Sequence, residues 1–163
     1  MLMLIISGQA NAQTTETAFM TKGSIINSPF AAGTKTSIAV AKVSLSALDR
    51  FKKDYKDAKD VEWVEVQNGY RAYFSQDAVL TAVDYTMKGK LYSVIRYGKN
   101  LLAADVRAKL DEMFEHMQVK EVTEVKIADF ATKAYVIVLE DKKSLKTVQV
   151  IEDDISVLSE IEK

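Results

Sequence analysis

The chain has 163 residues, enough for one ordinary domain or two small halves sharing a core, and its 48% hydrophobic and 28% charged residues suit a soluble globular fold. Lys and Arg number 22 against 23 Asp and Glu, a formal charge of −1, which excludes the basic excess of a dedicated nucleic-acid binder. There is no cysteine and His116 is the single histidine, so disulfides, thiolate metal sites, cysteine nucleophiles and multi-histidine metal centres are excluded together.

Residues 1–6, Met-Leu-Met-Leu-Ile-Ile, are apolar, and Ala10-Asn11-Ala12 is the small-residue A-x-A pattern at which signal peptidase cuts. The run is short and lacks a positive flank, so residues 1–12 read as the remainder of a signal peptide that starts upstream. Cleavage is expected after Ala12, with a periplasmic or secreted product. The competing reading is an apolar start that tucks into the core. No stretch approaches the roughly 20 apolar residues of a membrane-spanning helix. Residues 13–43 are rich in Thr, Ser, Ala and Gly and hold the only proline, Pro29. They read as a partly disordered spacer, with Ile38-Ala39-Val40-Ala41 able to form a short strand.

From Ser44 a helical period sets in. Leu45, Leu48, Phe51 and Tyr55 recur on one face, Ser44 or Ser46 can cap it, and the helix should end near Lys56. Strand-like runs follow at Val61–Val66 and Tyr70–Ser75. They flank Asn68-Gly69, a pair suited to a type I′ turn with positive φ at both positions. Val79–Tyr85 and Leu91–Tyr97 flank a second turn at Lys88-Gly89. The pattern then restarts. Leu102, Val106, Leu110, Met113, Phe114 and Met117 share a helical face, with Asp105 suiting the dipole of the first turn. Runs at Val119–Ile127, Ala134–Leu139, Leu145–Ile151 and Ile155–Leu158 read as strands. The stretch Tyr135-Val136-Ile137-Val138-Leu139 is apolar throughout, as in a central strand.

Each half is thus one helix followed by four strands. Tyr73 aligns with Tyr135, and Leu80-Thr81-Ala82-Val83 with Leu145-Lys146-Thr147-Val148. The expected fold class is α+β: an αββββ unit repeated in tandem (about 44–98 and 99–163) within one domain, 44–163, with both helices on one face of an antiparallel sheet.

Residues from about 45 to 163 resemble the PepSY-like, beta-lactamase-inhibitor-protein-like (BLIP-like) domain of small exported proteins of Gram-negative bacteria. The resemblance is carried by Phe51-x-x-x-Tyr55, Asp57-Ala58-x-Asp60-Val61-x-Trp63, Gly69-Tyr70-x-Ala72-Tyr73-Phe74, Lys88-Gly89-Lys90 and the start of the second helix at Leu101–Val106. Prolines usual in that family after the first helix and before the second are replaced here by Lys56 and by Leu102 or Ala103. The resemblance implies an export signal, a tandem αββββ fold and no catalytic apparatus, and it suggests protein binding or inhibition by analogy of fold.

Catalysis finds no support in the residues. Glu112 and His116 stand four apart on the second helix, a pairing that a metal site would need to extend with further ligands. There is no G-x-S-x-G elbow and no phosphate-binding glycine loop. No cofactor or metal is expected. The aromatic residues are more informative. Trp63, Phe74 and Tyr85 are expected beneath the first helix. Arg71, Tyr73, Tyr92 and Arg96 are the candidate partner-binding residues, of the types that dominate binding hot spots, on a sheet face turned away from the helices. The expected function is an exported, non-enzymatic module that engages a protein or peptide through that face. Joint replacement of Arg71 and Tyr73 by alanine should then abolish capture without unfolding. The alternatives are a small-molecule or ion-binding envelope protein with a pocket between helix and sheet, and a self-associating structural protein. The sequence leaves the partner and the oligomeric state open.

Overall fold

A computed structural model describes residues 37–163; the expected signal peptide, its cleavage site and the first part of the spacer lie outside the described residues. The fold is α+β. Helix α1 (Leu45–Asp54) precedes β1 (Lys59–Val66), β2 (Gly69–Gln76), β3 (Val79–Thr86) and β4 (Leu91–Tyr97); helix α2 (Ala104–Met113) precedes β5 (Gln118–Ile127), β6 (Lys133–Glu140), β7 (Ser144–Ile151) and β8 (Asp154–Glu162). All eight strands form one antiparallel sheet in chain order, with β4 hydrogen-bonded to β5 across the middle. Among the described residues no helix is long and apolar enough to cross a membrane.

Ser44 is the N-cap of α1, its hydroxyl accepting from the Ala47 N–H at 3.3 Å. The helix stops at Asp54, slightly earlier than expected, because Tyr55 leaves helical geometry while its N–H still reaches the Phe51 carbonyl. The inner face of α1 puts Ala47 and Phe51 onto Trp63, Ala72, Phe74 and Tyr85. The inner face of α2 puts Val106 and Leu110 onto Val122, Tyr135, Ile137 and Val148. Strand pairing places both sets on the same face, since Trp63 pairs with Ala72, Ala72 with Val83, Val83 with Val94, Val94 with Lys126 and Lys126 with Lys133. One sheet face therefore carries both helices. Strand β6 lies between β5 and β7, its Tyr135, Ile137 and Leu139 buried under α2 and its Val136 and Val138 half-buried on the other face.

The two halves share several local features. Short 3-10 turns at Val40–Lys42 and Lys99–Leu101 lead into the helices, followed by buried Val43 and Leu102. Both helices end on a residue of nearly the same conformation, Tyr55 (φ −130°, ψ 60°) and Phe114 (φ −126°, ψ 57°). Each first strand carries a one-residue bulge near its start, before Glu62 and before Glu121. The offset between the halves is 59 positions through the helices and the first strands, and 65 in the second and third strands of each half, where Tyr70 and Tyr135 each face a core residue of the next strand, Tyr85 and Val150. Tyr70 is thus the counterpart of Tyr135. The expected match of Tyr73 with Tyr135 is out of register, because it sets residues of opposite faces against one another. The extra length sits in the loop between β5 and β6.

The chain departs from expectation at the first hairpin and at the end of α2. Val66 pairs with Gly69, so the first hairpin turns at Gln67-Asn68, and neither Asn68 nor Gly69 has a positive φ. Gly69 answers a different need: a Cβ there would lie 1.9 Å from the Tyr85 carbonyl oxygen. The positive φ values occur instead at Asp77 (52°) and Ala78 (60°) between β2 and β3, a type I′ turn with alanine where glycine is favoured. Left-handed geometry costs an L-residue roughly 1–2 kcal/mol. Ala78→Gly should therefore raise stability by about 1 kcal/mol, read as a higher urea midpoint at unchanged slope. His116 lies past the end of α2 in left-handed conformation (φ 73°), so Glu112 and His116 do not form a helical pair.

At the β6–β7 turn the Asp141 carboxylate accepts the N–H groups of Lys143 and Ser144, both at 2.7 Å. These backbone donors hold the carboxyl below its ordinary range, with smaller help from the Ser144 hydroxyl and Lys163. A lowered folded-state value means that this stabilisation is complete above the unfolded value of about 4 and is lost as pH falls through the folded one. The difference in melting temperature between the wild-type chain and Asp141→Ala should be constant above a pH of about 5 and shrink on acidification.

Candidate binding face

The sheet face away from the helices is built in rows set by strand register. One row runs Val64, Arg71, Asp84, Ser93 and Ile127, and the next runs Tyr73, Ala82, Ile95, Val125, Ala134 and Ile151. The first row is locked by an ion pair. The Arg71 guanidinium donates to Asp84 from Nε to Oδ1 at 2.6 Å and from Nη2 to Oδ2 at 3.0 Å, and the Ser93 hydroxyl donates to the same carboxylate at 2.5 Å. The Asp84 side chain has no exposure to solvent and that of Arg71 has 8%. Burial pushes the Asp84 carboxyl up, with Arg71 and Ser93 pulling it back. Burial also opposes the Arg71 charge, but Asp84 and Tyr73 outweigh it and the guanidinium is held above its ordinary value.

Arg71 also orients Tyr73. Its Nη1 donates to the Tyr73 hydroxyl at 3.3 Å, and its guanidinium carbon stands 5.8 Å from the centre of that ring. Tyr97, on the same face, is pushed up by burial and shares the field of Arg71, Tyr73 and Asp84. Alongside lies an apolar cluster, with Val125, Ile127 and Ala134 buried and Tyr92, Ile95, Val136 and Ile151 packed around them. Both helices pack on the opposite face, and this cluster consists of strand residues alone.

The structure thus brings Arg71, Tyr73 and Tyr92 onto one face. Arg96 is not with them. It pairs with Thr81 and Glu124 on the helix-bearing face, where its guanidinium lies 3.4 Å from the Glu124 carboxylate; Lys133 holds the other oxygen of that carboxylate at 3.1 Å. The reason is a bulge in β4: Asp84 faces Ser93 and Tyr85 faces Leu91, leaving Tyr92 as an extra residue. The simple alternation that would put Tyr92 and Arg96 on one side is therefore broken between them. Sequence reasoning also missed Asp84 and Ser93. The available signal was a carboxylate inside the largely apolar run Val79–Tyr85, in register with an arginine.

What this arrangement offers is a firm surface with an aromatic ring held by a buried arginine beside an apolar patch. Among the described residues no group of three His, Asp or Glu side chains could hold a metal ion.

No protein-family model matches the chain, and no curated protein matches it. Solved structures do. A DUF2874 family protein of Bacteroides ovatus is 17% identical with a TM-score of 0.61, over 74% of this chain and 88% of that one. A Bacteroides eggerthii protein provisionally described as periplasmic is 18% identical with a TM-score of 0.60, over 74% and 88%. A BLIP-like protein of Bacteroides fragilis is 19% identical with a TM-score of 0.58, over 74% and 86%. At these identities the likeness is one of fold, and that fold is BLIP-like.

Proposed function

We propose that this chain is an exported, non-enzymatic binding module of the PepSY-like group, built by duplication of an αββββ unit, whose helix-free sheet face engages a partner protein. The observation that carries the reading is the apolar row from Tyr73 to Ile151 on a face that neither helix covers. A sheet with one buried face ordinarily alternates apolar-in with polar-out, so the half-buried Tyr73, Tyr92, Ile95, Val136 and Ile151 on the second face suit a partner. The shared offsets through caps, bulges and core positions support duplication. The fold relatives described as periplasmic and as BLIP-like support export and an inhibitor-like mode of binding.

Arg71 is a poor probe of this reading, because alanine there strands the buried Asp84 carboxylate. The suitable variant is Tyr73→Ala with Tyr92→Ala, both half-buried. With the wild-type chain as bait in envelope extract, a partner should be retained that the double variant loses, each ring contributing about 2 kcal/mol as a hot spot. Equal retention by the wild type and the double variant, with both folded, defeats this placement of the interface.

A further inference from the structure

We propose that the groove between α1 and β1 binds a medium-chain aliphatic carboxylate, a site on the opposite side of the sheet from the proposed partner face and independent of it. The groove has a volume of about 330 Å³. That is at the small end of ligand pockets, which run to about 300–1,000 Å³, and suits one short chain rather than a two-chain lipid. Phe51, Tyr55 and Trp63 line it from the core side and Val40, Leu48 and Val61 from the rim, with Val40 and Val61 left 53% and 41% exposed. The only charged residues lining it are Lys52 and Lys56, and neither has an acidic partner among the described residues. An apolar trough with an unpaired cationic rim matches an apolar tail with an anionic head.

The second half supplies an internal comparison. Through the helices and first strands the offset is 59 positions, so Val40, Leu48 and Val61 correspond to Lys99, Arg107 and Lys120. The same fold position is thus apolar in one half and cationic in the other. Lys52 and Lys56 correspond to Asp111 and Glu115, a reversal of charge. Ala58 corresponds to Met117, whose side chain packs against the second core, and each donates its N–H to the aromatic residue ending the helix, at 3.2 Å and 3.1 Å. The framework alone therefore requires neither the apolar rim nor the paired lysines nor the small residue at position 58. All three line the groove between α1 and β1.

Trp63 is the single tryptophan and lines the groove, so its fluorescence reports occupancy directly. The full chain is titrated with decanoate below its micelle concentration, with decyltrimethylammonium and the peptide acetyl-Asp-Leu-Asp-Leu-amide as controls. A saturable change with decanoate, and with neither control, is expected. Lys52→Asp with Lys56→Glu should weaken decanoate at least about tenfold. Ala58→Met, which restores the larger residue of the second half, should abolish the response at unchanged far-ultraviolet circular dichroism. No saturable response to decanoate overturns the site. So does equal binding of decyltrimethylammonium, binding of the peptide instead, or decanoate affinity unaltered by the lysine reversals, a surface change that does not rely on Ala58→Met folding.

Discussion

Replacing Asp84 with alanine is expected to destabilise the protein by about 3–5 kcal/mol, far beyond the loss of a surface carboxylate. The carboxylate accepts from Arg71 twice and from Ser93 once, wholly out of solvent. Its removal leaves a guanidinium buried to 8% exposure with no counter-charge within the row. The expected loss is mainly the cost of that stranded charge and not the net worth of the pair, which desolvation largely offsets. Arg71→Ala should therefore be comparably harmful, while Arg71→Met with Asp84→Leu should recover much of the loss. The Lys90–Asp129 pair provides the contrast. Its side chains are 67% and 70% exposed, and Asp129→Ala should cost less than about 1 kcal/mol. Urea unfolding of the set checks all four. A loss below about 1 kcal/mol for Asp84→Ala, or an Arg71→Met with Asp84→Leu variant no more stable than Asp84→Ala, contradicts the buried-lock description.

The second large effect is expected at Phe51. Its ring meets Trp63 edge-on at 5.3 Å and Phe74 edge-on at 5.1 Å, and lies 5.4 Å from Tyr55. With Ala47 it is one of the two α1 residues buried against the sheet. Phe51→Ala removes the ring around which three other aromatics are arranged and leaves a cavity that they cannot all collapse into. The expected cost is about 3–5 kcal/mol. The near-ultraviolet circular dichroism of Trp63 should change with it. A conservative Phe51→Leu, which copies the residue at the corresponding place in α2, should lose less. Equal losses for leucine and alanine would show that volume at this position does not hold α1 in place.

Much of this fold could be read from residue pattern, and the exceptions share a cause. Both helices were visible because Phe51 and Leu110 anchor apolar faces of period 3.6. Strand β2 was visible because Tyr70, Ala72 and Phe74 alternate with Arg71 and Tyr73. Bulges and close approaches carry no such signature. One extra residue at Tyr92 moved Arg96 to the helix face. The longer loop before β6 displaced the apparent partner of Tyr135 from Tyr70 to Tyr73. Gly69 is glycine because the Tyr85 carbonyl of β3 passes beside it, a contact that local sequence cannot show. For the candidate site, the aromatic and basic residue types pointed to the face, and Arg71, Tyr73 and Tyr92 do share it. The lock that makes Arg71 structural was hidden, since Asp84 and Ser93 come to it only through the register of three strands.

The absence of cysteine makes the most direct test of the binding reading straightforward. Single cysteines are placed at Thr123 and Val136 on the helix-free face and at Ala108 and Asp111 on the exposed side of α2. Each is labelled with a benzophenone photocrosslinker and irradiated in envelope extract. The same partner should be crosslinked from Thr123→Cys and Val136→Cys, and not from Ala108→Cys or Asp111→Cys. Adducts from the α2 positions alone, or no adduct from either sheet position, would contradict the assignment of the interface to the helix-free face.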